Sequence, residues 1–179
     1  YSVNKEDMWI SRIPVPVEIN ASAHADDDFS NNKSIAELTD WNIYSPVWAP
    51  VSLEGQWLKL QDKDPFDYAK VERKIPASKE LKVSFDLQAG QNDKGILQIE
   101  FLDENGIACS RMELTDDGIF RMKGGSRFAN MMKYEAGKVY HVEAVLSTAD
   151  RNIQVYVDGK RVGLRMFYAP VAAIERIVF

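Results

Sequence analysis

Apolar and polar residues alternate with a period of two in run after run of this chain. Leu81, Val83, Phe85 and Leu87 interleave with Lys82, Ser84 and Asp86, and Leu97, Ile99 and Phe101 with Gln98 and Glu100. Tyr140, Val142, Ala144 and Leu146 interleave with His141 and Glu143, and Ile153, Val155 and Val157 with Gln154 and Tyr156. Successive side chains of a strand point to opposite faces, so this pattern describes sheets that bury one side and wet the other. Further runs put Leu58 with Leu60 and Val71 with Arg73 and Ile75, and Ile174, Ile177 and Val178 close the chain. Between the runs lie Glu104-Asn105-Gly106, Asp116-Asp117-Gly118 and Asp158-Gly159, residues that tolerate the positive φ of hairpin turns. The only helical signal is one turn over 34–39, with Ser34 and Glu37 spaced as a capping box. Several short strands broken by such turns indicate a sandwich or barrel, and the shared apolar core that the alternating runs need points to an all-β, antiparallel two-sheet β-sandwich. Phe85 and Val155, on the apolar side of the strongest runs, are expected in its core.

Residues 1–19 follow another pattern. Met8, Ile10 and Arg12 alternate with Trp9, Ser11 and Ile13 as one strand, and Pro14 and Pro16 frame an extended connector. The expected division is a strand and linker over 1–19 and a sandwich domain over 20–179. The chain opens at Tyr1 rather than Met and reads as a piece of a larger protein.

Charge narrows the partners. The net charge is −5, with a pI near 5.1, which argues against a phosphate-tracking surface and so against nucleic acid. No run approaches the ~20 apolar residues of a membrane-spanning helix. The single cysteine, Cys109, cannot close an internal disulfide and reads as a small core residue rather than a nucleophile.

Two resemblances sharpen the expectation. The stretch "KVYHVEAVLSTADRNIQVYVDGKRV" (138–162), with "KVSFDL" (82–87) and the closing "IERIVF", resembles the concanavalin A-like jelly rolls over about 27–179. That superfamily includes laminin-G-like domains, legume lectins, glucanases and lyases. "YSVNKEDMWISRIPVPV" (1–17) resembles the last strand and exit linker of the β-propeller in bacterial sialidase-like (BNR-repeat) proteins, and "WAPVSLEGQWLKLQDKDPFDYAKVERKIP" resembles the start of the sandwich that follows it. The resemblance implies a non-catalytic carbohydrate-binding or accessory module of a larger secreted or periplasmic carbohydrate-active protein. The adjoining β-propeller and a poly- or oligosaccharide would be its partners. A purely structural spacer, and a lyase or hydrolase with its site on the concave sheet, stand as alternatives.

The residues themselves disfavour catalysis. Retaining glucanases need two carboxylates about 5 Å apart, and the Glu-x-Asp-x-x-Glu motif of jelly-roll glucanases is missing. Asp62, Asp64 and Asp67 have that spacing but the wrong residues, and Pro65 interrupts them. These aspartates, like Asp26, Asp27 and Asp28, suit a solvated acidic turn, so no cofactor is expected, with a structural calcium ion left open. For ligand contact the aromatics Trp41, Tyr44, Trp48 and Trp57 crowd one stretch, with Trp48 and Trp57 the first candidates for stacking on a sugar ring. A second candidate surface groups Gln98, Arg111, Arg121, His141 and Tyr156 on the wet face of one sheet, where the cations suit an acidic sugar. Against both stands the ordinary reading of buried rings and a solvated polar face. The fold reading is checked by far-UV circular dichroism: a strand-dominated spectrum is expected, and a helical one overturns it.

Overall fold

The computed structural model describes residues 25–179, together with the backbone pairing of two short strands, β1 (Ser2–Val3) and β2 (Asp7–Met8). The strand expected over 8–13, beyond Met8, and the boundary drawn at 19 and 20 lie outside the described residues. A 3-10 turn over Ile35–Glu37 precedes β3 (Trp41–Tyr44). Then come β4 (Val51–Glu54), β5 (Trp57–Leu60), β6 (Lys70–Ser78), β7 (Glu80–Gln88), β8 (Leu97–Leu102) and β9 (Ala108–Leu114). The remainder are β10 (Ile119–Gly124), β11 (Arg127–Lys133), β12 (Val139–Ser147), β13 (Asn152–Val157), β14 (Lys160–Met166) and β15 (Ile174–Val178).

These strands make the antiparallel two-sheet sandwich that the alternation predicts, as the jelly-roll resemblance implies. One sheet has seven strands in the order β11-β10-β9-β8-β15-β6-β3, the other four in the order β14-β13-β12-β7, and β4–β5 form a separate hairpin. The core lies between them. Ile99, Phe101, Met112 and Met122 come from the larger sheet, and Val142, Ala144, Leu146, Ile153 and Val155 from the smaller, all fully buried. The hairpin between β13 and β14 turns on Asp158 and Gly159, both at positive φ (49° and 77°), as a two-residue turn matching the strand twist requires. At the other extreme of local chemistry, the 3-10 turn is not closed by Ser34. Glu37 reaches back to accept the backbone N–H of Lys33 at 2.8 Å, so half of the expected capping box forms, one residue early.

Three expected features change. Phe85 is half-buried rather than buried, because β7 is an edge strand of the smaller sheet; its ring meets Phe179 edge-on at 5.1 Å. Arg73 shares the inward face with Val71 and Ile75, as the spacing predicts, yet it is a cation only 4% exposed. It is held there by Asp27 (Nε to Oδ2, 2.8 Å) and Asp40 (Nη2 to Oδ2, 3.4 Å), and its Nη1 donates to the Lys74 carbonyl. Finally, β11 and β14 carry no clean alternation, and both are sheet edges. Along β14, Gly163 faces inward where a Cβ would sit 2.7 Å from Met131 Sδ and 2.9 Å from Met122 Cε, so the two sheets close against each other there with no room for a side chain.

Burial orders the cost of truncation. Phe101→Ala should lower unfolding stability by about 3–5 kcal/mol, as fully buried aromatics do. Phe85→Ala should cost clearly less, because its edge position leaves part of the ring in water. Urea unfolding of both variants checks this; equal losses would mean that β7 is covered in solution.

Candidate functional site

The outer face of the seven-stranded sheet carries a chain of alternating charges. Register places Gln98, Glu113 and Arg121 side by side across β8, β9 and β10, and Glu100 beside Arg111. Arg111 grips Glu100 through Nε and Nη2 at 2.7 and 2.6 Å. Arg121 grips Glu113 through Nε and Nη2 at 2.9 and 2.7 Å, while the other oxygen of Glu113 accepts from Gln98 at 3.2 Å. Glu113 is almost completely buried, and these partners offset its desolvation. The cations also cover the rings beside them: the Arg121 guanidinium lies 4.4 Å over Phe128 and the Lys123 amine 4.3 Å over Tyr168. Burial, and then the neighbouring Glu100 carboxylate, raise the Tyr168 phenol above its usual range, so it stays a neutral hydrogen-bonding group. The two carboxylates and two guanidiniums cancel in charge and satisfy one another. Such a face is rigid but largely committed.

His141 and Tyr156 do not join it. They lie on β12 and β13 of the four-stranded sheet, whose outer face is on the opposite side of the sandwich. His141 Nδ1 is 2.8 Å from Asp86 Oδ1, both exposed, and the Tyr156 hydroxyl donates to Gln154 at 3.1 Å. The single face expected for Gln98, Arg111, Arg121, His141 and Tyr156 is therefore two faces. Alternation tells which side of its own sheet a residue takes, but not which sheet the strand joins.

The acidic clusters are absorbed by local structure. Asp62 and Asp64 accept the backbone N–H groups of Asp64 and Phe66, each at 2.9 Å, in successive Asx turns. Asp67 accepts from the Tyr44 hydroxyl at 3.1 Å and from the Tyr68 N–H, Asp28 accepts from Ser30, and Asp27 holds Arg73. Among the described residues no three His, Cys, Asp or Glu side chains come together as a metal site.

The aromatic stretch divides in two. Trp41 packs inward, 5.7 Å from Phe29 and 6.5 Å from Phe179, as the ordinary reading of a large ring holds. The rest is open. Two loops, 45–50 and 61–69, are tied together by Lys63 N–H to Trp48 O (2.9 Å) and Gln61 N–H to Pro50 O (3.0 Å). On them and beside them stand Trp48, 63% exposed, Phe66, 95%, Tyr68, 60%, and Tyr44, 47%. The Tyr44 and Tyr68 rings lie 5.2 Å apart, and the hydrogen bond to Asp67, then its charge, raise the Tyr44 phenol. Trp57 is 38% exposed but sits at the turn end of the β4–β5 hairpin, away from the Val51–Leu60 end that adjoins Trp48. Phe66 and Tyr68 are not among the residues that ring density singles out in the sequence. Their signal is nevertheless present in "DPFDY", a turn-forming acidic segment with two large rings that no strand alternation claims.

Against known proteins, residues 41–179 match the model of one family, described as "Sialidase-like, CBM domain". A solved structure of a sialidase is 92% identical over the whole of this chain, with a TM-score of 0.93, and this chain spans only 16% of that one. The chain is also similar to sheep galectin-11 in complex with glycerol (16% identity, 60% of this chain and 86% of that one, TM-score 0.47). A third similarity is to carbohydrate-binding module CBM66 from Bacillus subtilis (9% identity, 77% and 86%, TM-score 0.43). Likenesses as distant as the last two say nothing about ligand. No curated protein matches the chain.

Cys109 remains as a potential nucleophile. It is fully buried, and that burial pushes its thiol up to about 12. A group with this shift stays protonated through the neutral range, and the thiolate is the reactive form. In the native protein at pH 8, Cys109 should resist a thiol reagent for as long as the fold holds and react at once in denaturant. Rapid native labelling would show that the buried face of β9 opens to solvent in the native protein.

Proposed function

The chain belongs to the family of sialidase-like CBM domains, and from that membership we propose that it is a non-catalytic carbohydrate-binding accessory module of a larger secreted or periplasmic glycoside hydrolase. The adjoining part of that protein, a β-propeller, would hold the catalytic centre and be the module's covalent partner. The observation that carries the proposal is the set of uncovered rings at Tyr44, Trp48, Phe66 and Tyr68. A pyranose presents an apolar face of C–H groups, and an aromatic ring with a free face stacks on it while nearby polar groups bind hydroxyls. Phe128 and Tyr168 already have cations over them, whereas nothing comparable covers the loop rings. Asp62, Asp64 and Lys63 border the rings as hydroxyl partners.

Supporting a non-catalytic role, the carboxylates Glu100 and Glu113 on the β8 and β9 part of the larger sheet face are both held by arginines. Acid–base chemistry on a glycosidic bond needs a pair of carboxyls free to face the substrate. A structural spacer is the second reading, favoured by the same self-satisfied ladder, which leaves that face little to offer a ligand.

An open platform buries less of a ligand than a cleft does, so affinity should be weak, in the millimolar to high-micromolar range. Calorimetric titration with neutral and acidic oligosaccharides is expected to show binding without turnover. Trp48→Ala should weaken it by roughly tenfold or more, about 1.4 kcal/mol, while Trp57→Ala, at the other end of the hairpin, should leave it nearly unchanged. Hydrolysis or elimination by the purified chain would overturn the non-catalytic reading. Silence toward every glycan would favour the spacer.

A further inference from the structure

Beyond the charge ladder, the outer face of the seven-stranded sheet ends in a groove of about 360 Å³ between residues 39–42 and the paired strands β6 and β15. Its lining mixes the Trp41 ring with polar and charged side chains. Register sets Asn42 beside Glu72 and Lys74 beside Arg176, with Thr39 at the chain's approach to β3.

The acceptors of this groove are engaged. Glu72 receives Lys70 at 3.1 Å and Arg176 Nη1 at 3.3 Å, and Asp40 receives Arg73 at 3.4 Å. The donors are less committed. Lys74 has only a 3.8 Å approach to Glu175. Arg176 is held in place through Nη2 on the Glu104 carbonyl (2.6 Å), yet its Nε–H is shielded from water and has no acceptor. Among the described residues, the Thr39 hydroxyl and the Asn42 carboxamide make no hydrogen bond. A buried donor without an acceptor is uncommon and calls for a physical explanation. Glu72 is already met by Lys70 and Arg176, so Lys74, the unpartnered Arg176 N–H, a hydroxyl and an amide are what the groove offers, and they match a ligand that brings a carboxylate and hydroxyls together.

We propose that this groove binds an acidic sugar residue of the uronate type, its carboxylate on Lys74 and Arg176 and its ring hydroxyls on Thr39 and Asn42. The proposal rests on the carbohydrate reading of the domain but not on the aromatic loops, which it does not involve. Salt should weaken the interaction, because the anchoring charges are partly exposed.

The test is an amide NMR titration of the full chain with glucuronate, glucose and acetate. Saturable shifts at Thr39, Asn42, Lys74 and Arg176 are expected with glucuronate, at least tenfold weaker ones with acetate, and none with glucose. Lys74→Met keeps the apolar stem and removes the charge; it should lower glucuronate affinity at least tenfold with the spectrum otherwise native. Lys82→Met, on the smaller sheet at the opposite side of the sandwich, should leave it unchanged. The proposal is overturned by an unsaturable response, by equal shifts with glucose, or by a Lys74→Met variant that binds as the parent does. Neutral oligosaccharide bound through Trp48 with no response to glucuronate would sink this site alone and leave the carbohydrate reading standing.

Discussion

Seven strands face four, and the rest of the molecule answers to that mismatch. The smaller sheet covers the inner face of the larger only in part. At one margin β14 approaches β10 and β11, where Gly163 admits Met122 and Met131. At the other, Phe85 of β7 reaches only as far as Phe179. The inner faces of β6 and β3 lie beyond, and something else must cover them. Trp41, Phe29 and the Arg73–Asp27 pair do so, drawing residues 27–41 against the sheet. A buried guanidinium is a costly filler unless each side of it is met, and Asp27 and Asp40 help to meet it.

The same architecture sorts the surfaces. The outer face of the larger sheet is long enough to carry two different kinds of polar arrangement. Across β8, β9 and β10 the charges pair off and cover Phe128, so the face is stiff and committed. Toward β15, β6 and β3, Glu72 is met by Lys70 and Arg176, while Arg176 Nε–H is left without an acceptor beside a groove. The aromatic loops stand apart from both. They are fixed by backbone bonds between 45–50 and 61–69, so their rings are presented by a rigid frame although they make few contacts of their own.

Strands with one clean apolar face are legible from their residues alone. β8, β12 and β13 lie inside their sheets, and β7, although an edge, pairs with β12 along its whole length. Water on one side and core on the other write a period of two into all four. β11 and β14 are not legible, because these edges meet solvent along one margin and partner irregularly. Their residues answer to bulges, as between Phe120 and Arg121 on the partner of β11, and to close approach, as at Gly163. The candidate surfaces split likewise. Density of rings marks Trp41, Trp48 and Trp57 as candidates but not which of them is open, since Trp41 packs inward and Trp48 does not. Nor does it mark the separation of Trp48 and Trp57 by the length of a hairpin.

What the sequence by itself determined is the class of fold, the turns at Gly106, Gly118 and Gly159, the inward side of each alternating strand, and the absence of the paired-carboxylate motif. Each of these is set by neighbours within a few residues, through backbone geometry and the period of the strand. What only the tertiary structure decided is which sheet each strand joins. That choice sends His141 and Tyr156 to one side of the sandwich and Arg111 and Arg121 to the other, and it leaves Phe85 on an edge. It also brings Tyr44 to Asp67 and Lys74 to Arg176 across long stretches of chain. The physical reason is that strand pairing is a non-local contact: backbone hydrogen bonds are alike for every sequence, and the partner is selected by how whole faces pack together in the core.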